Sequence, residues 1–125
     1  MGNEEGFNPE QEVIYNLPKE GERKENHAYL EGTWYNDKDY MELRSETGKI
    51  ILKFEAKKVN IVAGNANENN PIAITVILDN QRETKKSYSV QDHTLYNIIS
   101  LDSYGKHDIE IEAKKGLRIY TFTFG

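Results

Sequence analysis

The chain has 125 residues, 37% of them hydrophobic and 30% charged, with 16 Lys and Arg against 21 Asp and Glu and a formal charge of −5. That size suits one domain around one core. The lack of cysteine excludes a disulfide, a thiolate nucleophile or a Cys-based metal site in these residues, and no apolar stretch approaches the length of a spanning helix. The basic residues are scattered pairs, Lys57-Lys58, Lys85-Lys86 and Lys114-Lys115, and form no stripe. An acidic chain without clustered cations is a poor counter-ion for phosphates, so neither nucleic acid nor direct membrane insertion by this segment is expected.

Taken in chain order, residues 1–12 are polar and punctuated by Gly and Pro, and read as a linker or lead-in to a domain over 13–125. The charged run Lys19 to Asn26, after Pro18, reads as an exposed loop. From there on a period of two dominates. Asp39 to Ser45 is a strand candidate, and Ile50, Leu52 and Phe54 put three large apolar side chains on one face of the next, with Val59, Ile61 and Ala63 repeating the pattern after it. Ile72, Ile74, Val76 and Leu78 form a β-branched run that ends at Asp79-Asn80, residues that accept positive φ and predict a tight hairpin. Further strands are expected at Lys86 to Val90, Thr94 to Leu101, Ile109 to Ala113 and Leu117 to Phe124, with Gly48, Gly64, Gly105 and Gly116 as the turn residues between them. Helical periodicity is nearly absent. The expected fold is all-β, an antiparallel β-sandwich of about eight strands.

Several segments resemble a known family pattern. Asn26-His27-Ala28-Tyr29-Leu30-Glu31-Gly32-Thr33-Trp34 is similar to the N-x-x-x-L-x-G-x-W entry motif of the C-terminal domain that follows the thioredoxin domain in DipZ-type redox proteins. Phe54 to Val62 resembles the family's F-x-A-[KR]-x-[VL]-x-[LV]-V pair of strands, and Val76 to Asn80 its V-x-L-D-G hairpin. Leu95 to Ile99 resembles L-Y-x-[LI]-[IV], and Gly116 to Gly125 resembles G-[VL]-x-x-Y-x-F-T-F-G. The motifs keep the family's order over nearly the whole chain. Asn80 departs from the usual Gly, and His27-Ala28 from a frequent aromatic. The resemblance implies a jelly-roll-like β-sandwich similar to those of carbohydrate-binding modules, placed after a thioredoxin-fold domain, with that domain as its neighbour and partner, in an extracytoplasmic setting. The Cys-x-x-Cys of such a parent lies outside these residues, so its oxidoreductase chemistry is not assigned to them.

The chemistry the residues offer is recognition. His27, His93 and His107 lack metal-ligand spacing, and the adjacent pairs Asp92-His93 and His107-Asp108 point to opposite faces of a strand, so no catalytic residue or metal set is expected. The loop Tyr35 to Tyr40, with Asp37 and Asp39, is a candidate for structural Ca²⁺, with a solvated turn as the alternative; no other cofactor is indicated. For a glycan, aromatic rings stack on pyranose faces while amides and carboxylates take the hydroxyls. The candidate ligand-binding residues are Trp34, Tyr35, Asn36, Asp37, Tyr40, Asn65, Asn67 and Tyr104, against a favoured alternative in which Trp34 lies in the core and the tyrosines are sheet-edge packing. The expectation is a non-catalytic ancillary module of a thioredoxin-type oxidoreductase that recognises a glycan or protein ligand. The alternative is a structural or oligomerisation domain packed on the thioredoxin domain.

Overall fold

A computed structural model describes residues 2–67 and 69–125. Among these residues the strands are β1 (Glu12–Tyr15), β2 (Ala28–Asn36), β3 (Met41–Leu43), β4 (Thr47–Asn65), β5 (Ile72–Leu78), β6 (Lys86–Val90), β7 (Thr94–Lys114) and β8 (Leu117–Phe124). They form one continuous antiparallel sheet in the order β1-β2-β3-β8-β4-β7-β5-β6, with β2 also pairing β4. The sheet folds over into a sandwich because β4 and β7 serve both layers. The first part of β4 pairs with β2 and with the last part of β7, which β5 and β6 then extend; the second part of β4 pairs with β8 and the start of β7.

A strand that passes from one layer to the other turns the corner at a bend or a bulge, and a one-residue bulge also changes which alternate side chains face inward. In β4 the buried positions are Ile50, Leu52, Phe54 and Ala56 before the corner, then Val59, Ile61 and Ala63 after it. The change falls where the β4–β7 register shifts, between Ala56 and Lys58. Opposite it, residues 101–104 of β7 make an unpaired excursion between Ser100 and Gly105, and Lys57 and Lys58 instead donate their amides to the Gly125 carbonyl at 2.8 and 3.2 Å. A second shift leaves Ile98 without a partner and lets both Ile98 and Ile99 turn into the core.

The expected separate strands at Ile50–Phe54 and Val59–Ala63 are therefore one strand, as are Thr94–Leu101 and Ile109–Ala113. Correspondingly, Gly48, Gly64 and Gly105 lie within strands, and of the four expected turn glycines only Gly116, at φ +98°, sits in a turn. Asp79 and Asn80 adopt the expected positive φ of 50° and 59°, and the Gln81 amide donates to the Leu78 carbonyl at 2.9 Å. Yet β5 and β6 are joined through residues 79–85, which include a 3-10 turn at Arg82–Thr84, rather than by a two-residue hairpin.

Residues 2–11 are tied to β2 by buried amides. Asn3 donates from Nδ2 to the Leu30 and Asn16 carbonyls at 2.8 and 2.9 Å, and its Oδ1 accepts from the Leu30 amide at 2.7 Å. The run after Pro18 contains an exposed 3-10 turn at Glu20–Glu22, and the Asn26 amide then donates to the Lys53 carbonyl. Every buried side-chain nitrogen and oxygen among the described residues has a partner, which spares the core the ~1–3 kcal/mol cost of each orphaned group.

Gly48 marks the tightest approach. A Cβ there would lie 2.6 Å from Leu43 Cδ1 and 2.8 Å from the Glu31 carbonyl oxygen, whereas at Gly105 the nearest atom is the side-chain Nε2 of His107, at 3.3 Å. Urea unfolding should therefore show Gly48→Ala losing about 1–3 kcal/mol through overpacking, while Gly105→Ala stays within about 1 kcal/mol of the parent. Equal effects would contradict the close β3–β4 packing.

Candidate functional site

A third register shift, in β8, builds a surface cluster of aromatic and charged side chains. Val62 pairs with Thr121 and Ala63 with Ile119, so Tyr120 is the extra residue of a bulge. The apolar phase of β8 changes there too: Leu117 and Ile119 face inward before it, and Phe122 packs on the core after it. Freed from the pleat, Tyr120 lies beside Gly64, where a Cβ would come within 3.3 Å of its ring. His93 stacks on Tyr120 with centroids 4.0 Å apart and planes 15° apart, and Tyr40 meets the same ring at 5.4 Å in a tilted arrangement. The three rings come from different segments: Tyr40 from the β2–β3 connection, His93 from the β6–β7 connection, and Tyr120 from β8.

Next to the rings, Glu42 organises two arginines. This carboxylate is only 7% exposed, and its two oxygens accept from Arg118 Nε at 2.7 Å and Arg44 Nε at 2.6 Å. The Arg118 guanidinium lies 4.5 Å over the Tyr40 ring and that of Arg44 lies 4.6 Å over Tyr35, while Arg44 also reaches Glu12 at 3.1 Å. Burial works against the charge on Arg118, but the hydrogen bond to Glu42 and the fields of Tyr40, Glu42 and Tyr120 outweigh it and hold its pKa above the ordinary arginine value. The Tyr40 hydroxyl is pushed up by burial first, with Arg118 opposing and Asp37 and Glu42 adding to the rise. A cleft of about 410 Å³ opens along this group, lined by Gly64, Asn65, Gln91, Asp92, His93, Arg118 and Tyr120. Such a cleft offers aromatic surface, a fixed cation and amide edges, which suits a polar ligand with an apolar ring face.

The structure divides the sequence-derived candidates. Tyr40 and Asn65 belong to this group. Asp37 and Asn67 stand in the neighbouring connections but act locally, Asp37 Oδ2 accepting from the Asp39 amide at 3.0 Å and Asn67 Oδ1 from the Asn69 amide at 3.3 Å. Asn65 also holds its own loop: Nδ2 donates to the Asn70 and Val90 carbonyls, and Oδ1 accepts from the Asn67 amide. Tyr35 lies beneath Arg44, one strand away from the cleft.

Two candidates are corrected, since Trp34 and Asn36 are both fully buried. The Trp34 indole donates to the Glu31 carbonyl at 3.0 Å. Asn36 Oδ1 lies 2.8 Å from the Tyr15 hydroxyl and accepts from the Asn8 amide, while its Nδ2 donates to the Gln11 and Trp34 carbonyls. Neither can touch a ligand, because Trp34 packs in the hydrophobic core and Asn36 is enclosed by Tyr15 and the lead-in residues Asn8 and Gln11. Tyr104 is 65% exposed but sits in the β7 excursion beside Gly105, which pairs with Ala56 at the corner of β4, remote in register from Gly64.

Arg118, His93 and Tyr120 were absent from the sequence-derived set. The phase change in the last strand, odd-numbered at Leu117 and Ile119 and even-numbered at Phe122 and Phe124, was the available signal for the bulge. The three histidines do not converge. His107 Nδ1 lies 2.7 Å from Asp79 Oδ2, whose other oxygen accepts from the Asp108 amide, so the pair fastens the turn after β5 to β7. His27 lies exposed just before β2. Among the described residues no group of three or more His, Asp or Glu is placed to hold a metal ion, and no helix is long and apolar enough to cross a membrane. A second depression, of about 390 Å³, lies on the outer face between Glu31, Lys49, Thr75 and Glu112, and its lining contains no aromatic ring.

The fold has solved relatives. A family two carbohydrate esterase from Clostridium thermocellum, determined in complex with cellohexaose, superposes with a TM-score of 0.65 at 14% identity, over 79% of this chain and 31% of that one. A family two carbohydrate esterase from Cellvibrio japonicus gives 0.60 at 17% identity, over 79% and 32%. A two-domain esterase active on acetylated mannans gives 0.60 at 11%, over 80% and 33%. At these identities the likeness is one of fold, and this chain spans about a third of each of those chains. No curated protein matches the sequence significantly. The family model described as the thioredoxin like C-terminal domain matches residues 1–125, and the chain belongs to that family.

Proposed function

We propose that this domain is a non-catalytic recognition module that holds a glycan in the Tyr120 cleft and accompanies a DipZ-like thioredoxin-type thiol:disulfide oxidoreductase outside the cytoplasm. The observation that carries the reading is the bulge that re-aims Tyr120 into a ring stack with His93 and Tyr40, beside a cation fixed by Glu42. Bulges beside binding sites are a common way to turn one side chain out of the pleat. The family's name supports a thioredoxin-fold neighbour, and the cellohexaose-bound relative supports sugar as the ligand class. The mechanism would be positional: tethering a catalytic domain beside a bound target raises its effective concentration there, to the millimolar range for a short linker.

A second reading, a packing or oligomerisation domain, draws on β1. This edge strand presents Ile14 at 68% exposure, with Phe7 at 51% on the lead-in.

Titration of the ¹⁵N-labelled domain with cello-, xylo- and manno-oligosaccharides should shift the amides of Gly64, His93 and Thr121 for at least one series. Tyr120→Ala should weaken that binding about tenfold or more, equivalent to ~1.4 kcal/mol, while Tyr104→Ala leaves it unchanged. No shift with any sugar class, or equal losses in the two variants, would contradict the glycan reading. Light scattering should return a monomer; a dimer dissociated by Ile14→Lys would favour the packing reading instead. In the full-length protein, the residues preceding this domain should carry a Cys-x-x-Cys in a thioredoxin pattern, and their absence would remove the oxidoreductase parent.

A further inference from the structure

Resting on the glycan reading of the Tyr120 cleft, we infer that the preferred ligand is an acidic sugar, a uronate whose carboxylate is taken by the terminal amino groups of Arg118. Arg118 spends one of its donors, Nε, on Glu42 Oε1 at 2.7 Å, and its guanidinium is held 4.5 Å over Tyr40. Its two terminal amino groups have no partner among the described residues, yet the side chain is 32% exposed and lines the cleft. A guanidinium fixed in plane with unspent donors presents a pre-set fork, and a fork of that shape matches a carboxylate in two parallel hydrogen bonds.

The surrounding charges set the balance. Glu42 has both oxygens occupied, one by each arginine, and Arg44 is further engaged by Glu12 and does not line the cleft, so the open donors that face it belong to Arg118. Asp92, also on the cleft wall, is the one carboxylate among the described residues that line it. It disfavours a free anion that can sit anywhere in the cleft, and leaves room for one whose position is fixed by a ring stacked at His93 and Tyr120. The ring-stacking surface and the fork together therefore select a carboxylate carried on a sugar ring over either part alone.

The test compares matched ligands by NMR titration of the same domain: methyl glucuronide, methyl glucoside and sodium acetate, with trigalacturonate as a longer acid. The glucuronide should bind about five- to tenfold tighter than the glucoside, with shifts at Ile119, Tyr120 and His93, and its advantage should shrink as salt rises. Acetate should bind far more weakly than the glucuronide. Arg118→Gln should bring glucuronide and glucoside to the same affinity, and Tyr120→Ala should weaken both. Arg118→Lys, which keeps the charge and loses the fork, serves if Arg118→Gln does not fold, and should lose most of the preference. Equal binding of glucuronide and glucoside by the parent domain would overturn this inference and leave the glycan reading standing. Acetate binding as tight as glucuronide would overturn it in favour of a plain anion site. Silence toward every sugar, trigalacturonate included, would overturn both readings together.

Discussion

The register shifts on the β4–β7 ribbon are the constraint on which the rest of this domain depends. Two strands of 19 and 21 residues cross from one layer of the sandwich to the other, and each must turn the corner while keeping its apolar side chains inward on both sides of it. The phase change after Ala56, the unpaired Ile98 and the four-residue excursion at 101–104 accomplish this, and the C-terminal Gly125 supplies the hydrogen bonds the corner would otherwise lack. Without those shifts, Val59, Ile61 and Ala63 would face water while Lys58 and Asn60 faced the core. Burial of such side chains contributes about 1.5–3 kcal/mol for each large one, so the register is strongly specified.

The same device, used once more in β8, yields the surface that distinguishes one end of the molecule. A regular β8 would send Tyr120 along the pleat with its neighbours. The bulge instead sets it against Gly64, where the missing side chain makes room for the ring. Two connections and the end of β4 then deliver Tyr40, His93 and Asn65 to the same place, and Glu42 locks the arginines that flank them. The ion pairs are organisational as much as stabilising: a carboxylate that is nearly buried and fully engaged costs a desolvation penalty that its two partners offset, and in return it fixes both guanidiniums in plane.

Much of the fold could be read from alternation alone. β5, β6 and β8 begin and end where the apolar pattern predicts, and the positive φ of Asp79 and Asn80 follows from their side chains. The long strands were misread as pairs because a bulge looks, in sequence, like the end of one strand and the start of another; only the partner strand shows that pairing resumes. The site was harder for two reasons. Trp34 and Asn36 have the residue types of a sugar site, but Trp34 packs in the hydrophobic core and Asn36 is held by the polar lead-in, whose docking depends on the buried amides of Asn3 and Asn36 itself. Tyr120 and Arg118 sit in a strand that reads as core, and their exposure follows from pairing with residues more than fifty positions away. The phase break between Ile119 and Phe122 was visible, but its meaning required β4 as a partner.

The central claim is that the Tyr120 bulge, and not the broader outer face of the sheet, forms the ligand site. A crystal structure of the domain soaked with a bound oligosaccharide tests it most directly. The account predicts density for a sugar ring against His93 and Tyr120, with a polar substituent at Arg118. Density in the depression between Glu31, Lys49 and Glu112, with the Tyr120 cleft left to solvent, would contradict it.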